Sequence, residues 1–114
     1  MSVQFNTRQE NGVIVLEVTG RLILGESGSG LYDRVVEHLK RGENKVVLSL
    51  GGVSYIDSSG LGEMARALTA VRREGGDIKL SSLTRKVQEL VQVTQIYKIF
   101  DVRPTDAAAL AAFQ

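Results

Sequence analysis

One stretch in the middle of the chain decides its fold: residues 53–62 read Val-Ser-Tyr-Ile-Asp-Ser-Ser-Gly-Leu-Gly. The composition of its first four residues is typical of a strand, and an amphipathic helix pattern begins at Leu61. Between them, Asp57, Ser58 and Ser59 suit a helix N-terminus, because their side chains can accept hydrogen bonds from amides without intrahelical partners. The stretch therefore predicts a strand that turns directly into a helix and leaves a serine hydroxyl accessible.

Two glycines remove side-chain bulk from the start of this helix. Gly60 and Gly62 would let another backbone or a bulky group approach closely. Local chemistry alone leaves two interpretations open, since the serines either only cap the helix or form part of a functional site.

Two strands and a helix are predicted before the central stretch. Residues 3–8 and 13–19 have strand patterns, and Asn11-Gly12 favours a tight type I′ hairpin because both residues tolerate positive φ. Gly20 is predicted to end the second strand. A flexible connection over residues 25–30 then leads to a helix over residues 31–40.

Helices and strands alternate along the rest of the chain. In the second helix, over residues 61–74, Glu63 and Arg66 are predicted to point mostly away from the apolar stripe. The other predicted elements are strands over residues 46–50, 78–81 and 97–102, a helix marked by Leu83, Val87, Leu90 and Val91, and an Ala-rich helix introduced by Pro104 in its first turn. We therefore predict one α/β domain over residues 1–114, with a mixed, mostly parallel sheet that opens with an antiparallel hairpin and packs against about four α-helices.

The composition excludes several classes of protein. Hydrophobic residues make up 43% of the 114 residues and charged residues 24%, which is typical of a globular domain. The chain has 14 Lys and Arg residues against 13 Asp and Glu residues. Nucleic-acid-binding proteins usually have a clear excess of basic residues, so this balance gives no reason to expect nucleic-acid binding. The chain has no cysteine, and neither a secretory signal nor an apolar run of membrane-spanning length is present. We expect a cytoplasmic protein without membrane insertion.

The central stretch resembles the signature of the STAS domain family, which includes the bacterial anti-sigma factor antagonists. The similarity extends over nearly the whole chain, through residues 46–50, the Gly75-Gly76 pair and the region of residues 90–100. In such proteins an anti-sigma factor, which is also a serine-protein kinase, phosphorylates the antagonist. The unphosphorylated antagonist binds the anti-sigma factor and frees a sigma factor for transcription, and a phosphatase restores this form. The resemblance implies a regulatory role, with no enzymatic activity and no cofactor.

The resemblance also implies roles for individual residues. The phosphorylated residue would be Ser58, the first serine of the pair. Asp57 and Ser59 would shape the turn, while the two glycines keep it open. Leu61 would either pack in the core or contact the partner, a choice that the sequence leaves open.

Two departures from the family pattern bear on the partner. Many relatives carry acidic or otherwise polar residues after the glycine that corresponds to Gly20, whereas this chain has Arg21-Leu22-Ile23-Leu24. Because this loop commonly lies beside the switch serine, we expect Ile23 to join Ser58 in a partner-facing surface. Ser49 stands where relatives often have Asp or Asn.

Other functions have weaker support in the sequence. Ser58 lacks an evident general base, and the sole histidine, His38, is expected to be a solvated or partly packed helix residue. The glycine-rich residues 25–30 lack the Lys and Ser or Thr of a phosphate-binding loop. The main alternative is a scaffold or accessory STAS domain, held in a stress-signalling assembly or in a lipid-transporting ABC system. Weak homodimer formation is left open.

Overall fold

A five-stranded mixed sheet forms the centre of the computed structural model, which describes residues 3–23 and 30–114. The strands follow one another across the sheet in chain order; β1 and β2 are antiparallel, and all the later pairs are parallel. This topology confirms the predicted fold class. The strands are β1 (Gln4–Glu10), β2 (Val13–Leu22), β3 (Lys45–Ile56), β4 (Asp77–Ser81) and β5 (Asp101–Arg103). The helices are α1 (Leu31–Lys40), α2 (Ser58–Arg73), α3 (Arg85–Val93) and α4 (Asp106–Ala111), with a short 3₁₀ helix at Ile96–Lys98.

The opening hairpin has the predicted two-residue turn. Asn11 and Gly12 connect β1 to β2, with φ angles of 53° and 78°. Both angles are positive, as a type I′ turn requires, and such turns match the right-handed twist of the flanking strands.

Gly20 does not end β2, contrary to the sequence prediction. Its φ of 97° lies in the region that favours glycine, and the pairing register with β3 shifts between Gly20 and Arg21. A bulge of this kind bends a strand without ending it. The strand therefore continues through Leu22, which pairs with Ile56 at the end of β3. The predicted loop over residues 21–24 is thus partly strand, and Leu24 and the connection over residues 25–29 lie outside the described residues.

The two faces of the sheet carry separate apolar clusters. Helices α1, α2 and α3 contribute to the larger cluster, in which Leu16 and Leu48 of the sheet are fully buried. On the opposite face, α4 covers a smaller cluster around Val15 and Val47. A strand buried on both faces explains the nearly continuous apolar run over residues 46–50.

The last strand was predicted too long. Residues 96–98 form the 3₁₀ helix, and β5 contains only residues 101–103. Pro104 is also not part of a helix: α4 begins at Asp106, and Thr105 caps it by accepting a 3.0 Å hydrogen bond from the amide of Ala108. Short apolar runs fit a strand or a helix turn equally well, which is why the pattern alone misassigned this region.

Ser49 belongs to a partly buried polar cluster at the start of α4. Asp106 accepts hydrogen bonds from the hydroxyls of Ser81 (2.6 Å) and Ser82 (2.8 Å), and Ser49 also bonds to it. Burial by itself would raise the pKa of Asp106, but these hydroxyl bonds and Arg8 outweigh it and lower that pKa. Asp106 therefore places a carboxylate within hydrogen-bond reach of Ser49.

Within residues 3–23 and 30–114, no helix combines the length and the apolar character needed to cross a lipid bilayer.

Candidate functional site

The predicted turn lies where β3 ends and α2 begins. The helix starts at Ser58, three residues earlier than predicted, and Asp57 is its N-cap. The carboxylate of Asp57 accepts a 2.7 Å hydrogen bond from the amide of Gly60, and its backbone carbonyl accepts from the amide of Leu61 (3.0 Å). The aspartate alone therefore supplies the side-chain cap.

Both serines of the turn are exposed to solvent. Ser58 and Ser59 occupy the first two helical positions, and neither hydroxyl bonds to another residue of the described ranges 3–23 and 30–114. Because the amides of these two residues belong to the unpaired first turn and the positive end of the helix dipole, they favour an anion at this position. The interpretation that the serines serve as caps is therefore wrong for this structure.

Gly60 is in close contact with the end of β2. A Cβ atom at this position would lie 2.1 Å from the carbonyl oxygen of Leu22. The same oxygen accepts a 3.4 Å hydrogen bond from the amide of Asp57. The extension of β2 beyond Gly20 thus lies directly against the first turn of α2, and only glycine fits at the contact.

Exposed side chains beside this contact extend the surface of the turn. The guanidinium of Arg21 lies 5.7 Å from the centre of the Tyr55 ring, and Tyr55 is 44% exposed. Ile23, the next residue after β2, is half-buried. A groove of about 290 Å³ opens between Tyr55 and α3, where Leu90 and Val93 contribute apolar walls. Ile23 thus directly follows the strand end that contacts the turn, and its place in a partner-facing surface stays a prediction.

Leu61 and Gly62 differ sharply in their surroundings. Leu61 is 9% exposed and packs in the larger apolar cluster, so its side chain is part of the core. Gly62 is exposed, and a Cβ atom built on it would meet nothing within 4 Å. The fold therefore explains a large apolar residue at position 61 and gives no reason for glycine at position 62.

The sequence prediction was wrong for Glu63. Its side chain was expected to point mostly away from the core, but Glu63 is 6% exposed and accepts a 3.0 Å hydrogen bond from the amide of Tyr32 in α1. The N-cap of α1, Gly30, has no side chain that could serve its first amides. Glu63 takes this role across the helix pair, and its charge also suits the positive end of α1. A glycine directly before the predicted start of α1, which offers no side-chain cap, was the signal in the sequence that another residue must cap this helix.

Removal of this carboxylate should destabilise the protein measurably. We expect Glu63→Ala to lower the free energy of unfolding by about 2 kcal/mol, because the partly buried amide of Tyr32 then loses a charged acceptor. Urea unfolding followed by circular dichroism would measure the change. The matched control is Glu37→Ala, an exposed position on α1, where the expected change is below about 0.5 kcal/mol. Equal losses in the two variants would contradict a capping role for Glu63.

The histidine is not available as a general base for Ser58. His38 is 8% exposed, more buried than predicted, and its Nδ1 lies 2.8 Å from Oε1 of Glu43. Acid–base chemistry at the turn would need a base within hydrogen-bond reach of the serine hydroxyl. The geometry instead presents an exposed serine hydroxyl with no hydrogen bond to the part of the chain that the structure describes.

Fold and site together define a small α/β domain with an exposed serine at the start of a helix. The chain belongs to the STAS domain family, whose model matches residues 4–109.

Named relatives agree with this assignment. The chain is 26% identical over 102 residues to the anti-sigma-B factor antagonist of Bacillus subtilis, covering 90% of this chain and 92% of the relative. A Thermotoga maritima crystal structure, assigned as an anti-sigma factor antagonist, superposes with a TM-score of 0.86 at 27% identity, covering 95% of this chain and 92% of that chain. The Bacillus protein SpoIIAA in its phosphorylated form has a TM-score of 0.72 at 14% identity, covering 97% and 100%; this likeness concerns the fold alone. The similar proteins are thus regulators of sigma-factor inhibitors.

Proposed function

We propose that this protein is an anti-sigma factor antagonist that phosphorylation of Ser58 switches off. In the unphosphorylated form it binds an anti-sigma factor, which is also its kinase, and so frees a sigma factor for transcription. A phosphatase reverses the modification. The observation that carries the proposal is the exposed hydroxyl of Ser58 at the first position of α2, inside the family signature; it bonds to no residue among 3–23 and 30–114.

The chemistry of the switch is a phosphoryl transfer. The Oγ of Ser58 attacks the γ-phosphorus of ATP, the bond to the bridging oxygen breaks, ADP leaves, and the hydroxyl proton is released. The product carries a charge of about −1.5 to −2 and additional acceptor oxygens. The unpaired amides of Ser58 and Ser59 and the helix dipole favour this anion. Because Asp57 already caps the helix, the phosphate need not displace a side chain from that role.

The choice between the two serines rests on the family motif. Both hydroxyls are exposed, and Ser58 is the first serine of the pair, the position that the motif assigns to the modification. Around it, Ile23 and Gly62 are proposed to contact the partner, and Asp57, Ser59 and Gly60 to shape the turn. Leu61 supports the helix from within the core.

Mass spectrometry tests the assignment directly. Incubation with ATP and a kinase of the anti-sigma type from the same cell should add one phosphate, and peptide mapping should place it on Ser58. We expect Ser58→Ala to abolish the uptake and to retain partner binding. Ser59→Ala is the matched control, because it removes another exposed hydroxyl one residue away. A phosphate that maps to Ser59, or that persists in Ser58→Ala, would contradict the assignment.

A further inference from the structure

We propose that the exposed face of α2 binds an acidic surface of the protein partner, through Arg66 and Arg73. This inference rests on the proposed function and specifies the chemistry of the partner. The α2 face is defined here as the residues of the helix that point into solvent around Gly62, which are Ser58, Ser59, Gly62, Arg66, Thr69 and Arg73.

These residues share one side of the helix. At 3.6 residues per turn, each of them lies within about 60° of Gly62 around the helix axis. The N-terminal part of the face presents the hydroxyls of Ser58 and Ser59 and no side chain at Gly62. Its C-terminal part presents Arg66 and Arg73. A partner that covers Ser58 and continues along α2 therefore meets small groups first and then two cations.

The charge on this face is not neutralised within the described residues. Glu63 is the only acidic residue of α2, and it is buried against α1. Arg66 and Arg73 form no ion pair with any described residue, whereas Arg72 bonds to Asp77 and to the carbonyl of Ile99. Because the whole chain has a net charge of only +1, the basic end of the face is a local feature.

Arg66 is also held in place before any partner binds. Its guanidinium lies 4.3 Å from the centre of the Tyr32 ring, a cation–π contact that orders the side chain and leaves its charge available. Arg66, Thr69 and Arg73 line a shallow groove of about 200 Å³ between α2 and Tyr32. An ordered arginine loses less conformational entropy when it binds, so this groove is suited to a carboxylate.

The spacing of the two arginines constrains the partner. They are seven positions apart in the helix, which corresponds to about 10 Å along the axis. The matching surface therefore presents at least two carboxylates about 10 Å apart, a spacing that positions i and i+7 of a partner helix would provide.

The basic end and the switch end of the face act separately. Ser58 and Arg66 are about 12 Å apart along the axis, whereas the Debye length at physiological ionic strength is about 8 Å. While the face is exposed to solvent, a phosphate on Ser58 and the guanidinium of Arg66 are thus largely screened from each other. The arginines increase the affinity and the rate of association. The phosphorylation state of Ser58 determines whether the partner can bind the α2 face.

Charge reversal tests the inference in calorimetric titrations with the kinase that phosphorylates Ser58. We expect Arg66→Glu/Arg73→Glu to weaken binding by about 100-fold, because like charges then oppose each other. The matched control is Arg85→Glu/Lys98→Glu, which changes the net charge equally at two exposed cations outside α2, with an expected change below about threefold. Arg66→Gln/Arg73→Gln should reduce the salt dependence of binding without loss of fold. A lysine at the matching acidic position of the partner should restore binding to the reversed variant.

The outcomes separate this inference from the proposed function. If the unmodified chain binds the kinase and phosphorylation blocks binding, but reversal of the two arginines changes affinity less than threefold, the inference is wrong and the proposed function stands. An equal loss in the control variant also overturns the inference, because it indicates general steering by net charge. If the unmodified chain does not bind the kinase at all, both proposals are overturned.

Discussion

Gly60→Ala should lower the free energy of unfolding by about 2 kcal/mol or more. The new Cβ would lie 2.1 Å from the carbonyl oxygen of Leu22, a backbone atom that cannot rotate away. Either the end of β2 or the start of α2 must move, and such overpacking typically costs 1 to 3 kcal/mol, which exceeds the gain of roughly 1 kcal/mol in helix propensity. Urea unfolding would measure the loss, and a variant as stable as the parent would contradict the contact.

Gly62→Ala is the matched control, with an expected effect of opposite sign. The same substitution two residues later meets open space, so the helix should gain about 0.5–1 kcal/mol in stability. If a partner approaches this face closely, the same variant should bind that partner more weakly. A gain in stability combined with a loss in affinity would show that this glycine serves binding and is not required by the fold.

Ser58→Asp should separate stability from binding in a similar way. An anion at the first position of α2 is favoured by about 0.3–1 kcal/mol, so the free energy of unfolding should change little. Partner binding should weaken by about 2 kcal/mol or more, because the complex would then bury an unpaired charge. Thermal unfolding and calorimetric titration would give the two values.

Two results would contradict this account of Ser58. A large loss of stability in Ser58→Asp would mean that the hydroxyl is less accessible than its exposure indicates. Unchanged partner affinity in a stable Ser58→Asp variant would place Ser58 outside the interface. Ser59→Asp, which puts the same charge on the neighbouring exposed residue, shows whether the effect depends on position.

Local sequence signals predicted most of the architecture. Asn11 and Gly12 specify their turn through their own backbone preferences, and the bounds of α1 follow from its apolar spacing. The start of the second helix was also recognised from the Asp-Ser-Ser-Gly turn, although only to within three residues. These features depend on interactions between residues that are close in the chain.

The errors concern contacts between distant parts of the chain. Gly20 usually signals the end of a strand, but pairing with β3 continues beyond the bulge to Leu22. Glu63 looks like a surface residue within its own helix, and only the neighbouring α1 makes it a buried cap. Leu22 and Gly60, which are in close contact, are likewise 38 positions apart in the chain. Nothing in the sequence around either residue predicts this contact. These contacts shape the surroundings of the turn at residues 57–60.

The most direct test of the central claim compares two forms of the same chain. The protein is phosphorylated on Ser58 by its kinase, separated from the unmodified form, and each form is titrated into the anti-sigma factor under identical conditions. We predict that the unmodified form binds and that the phosphorylated form binds at least about 30-fold more weakly, a difference of roughly 2 kcal/mol. Equal affinities of the two forms, with the phosphate confirmed on Ser58, would contradict the claim that this serine is the switch.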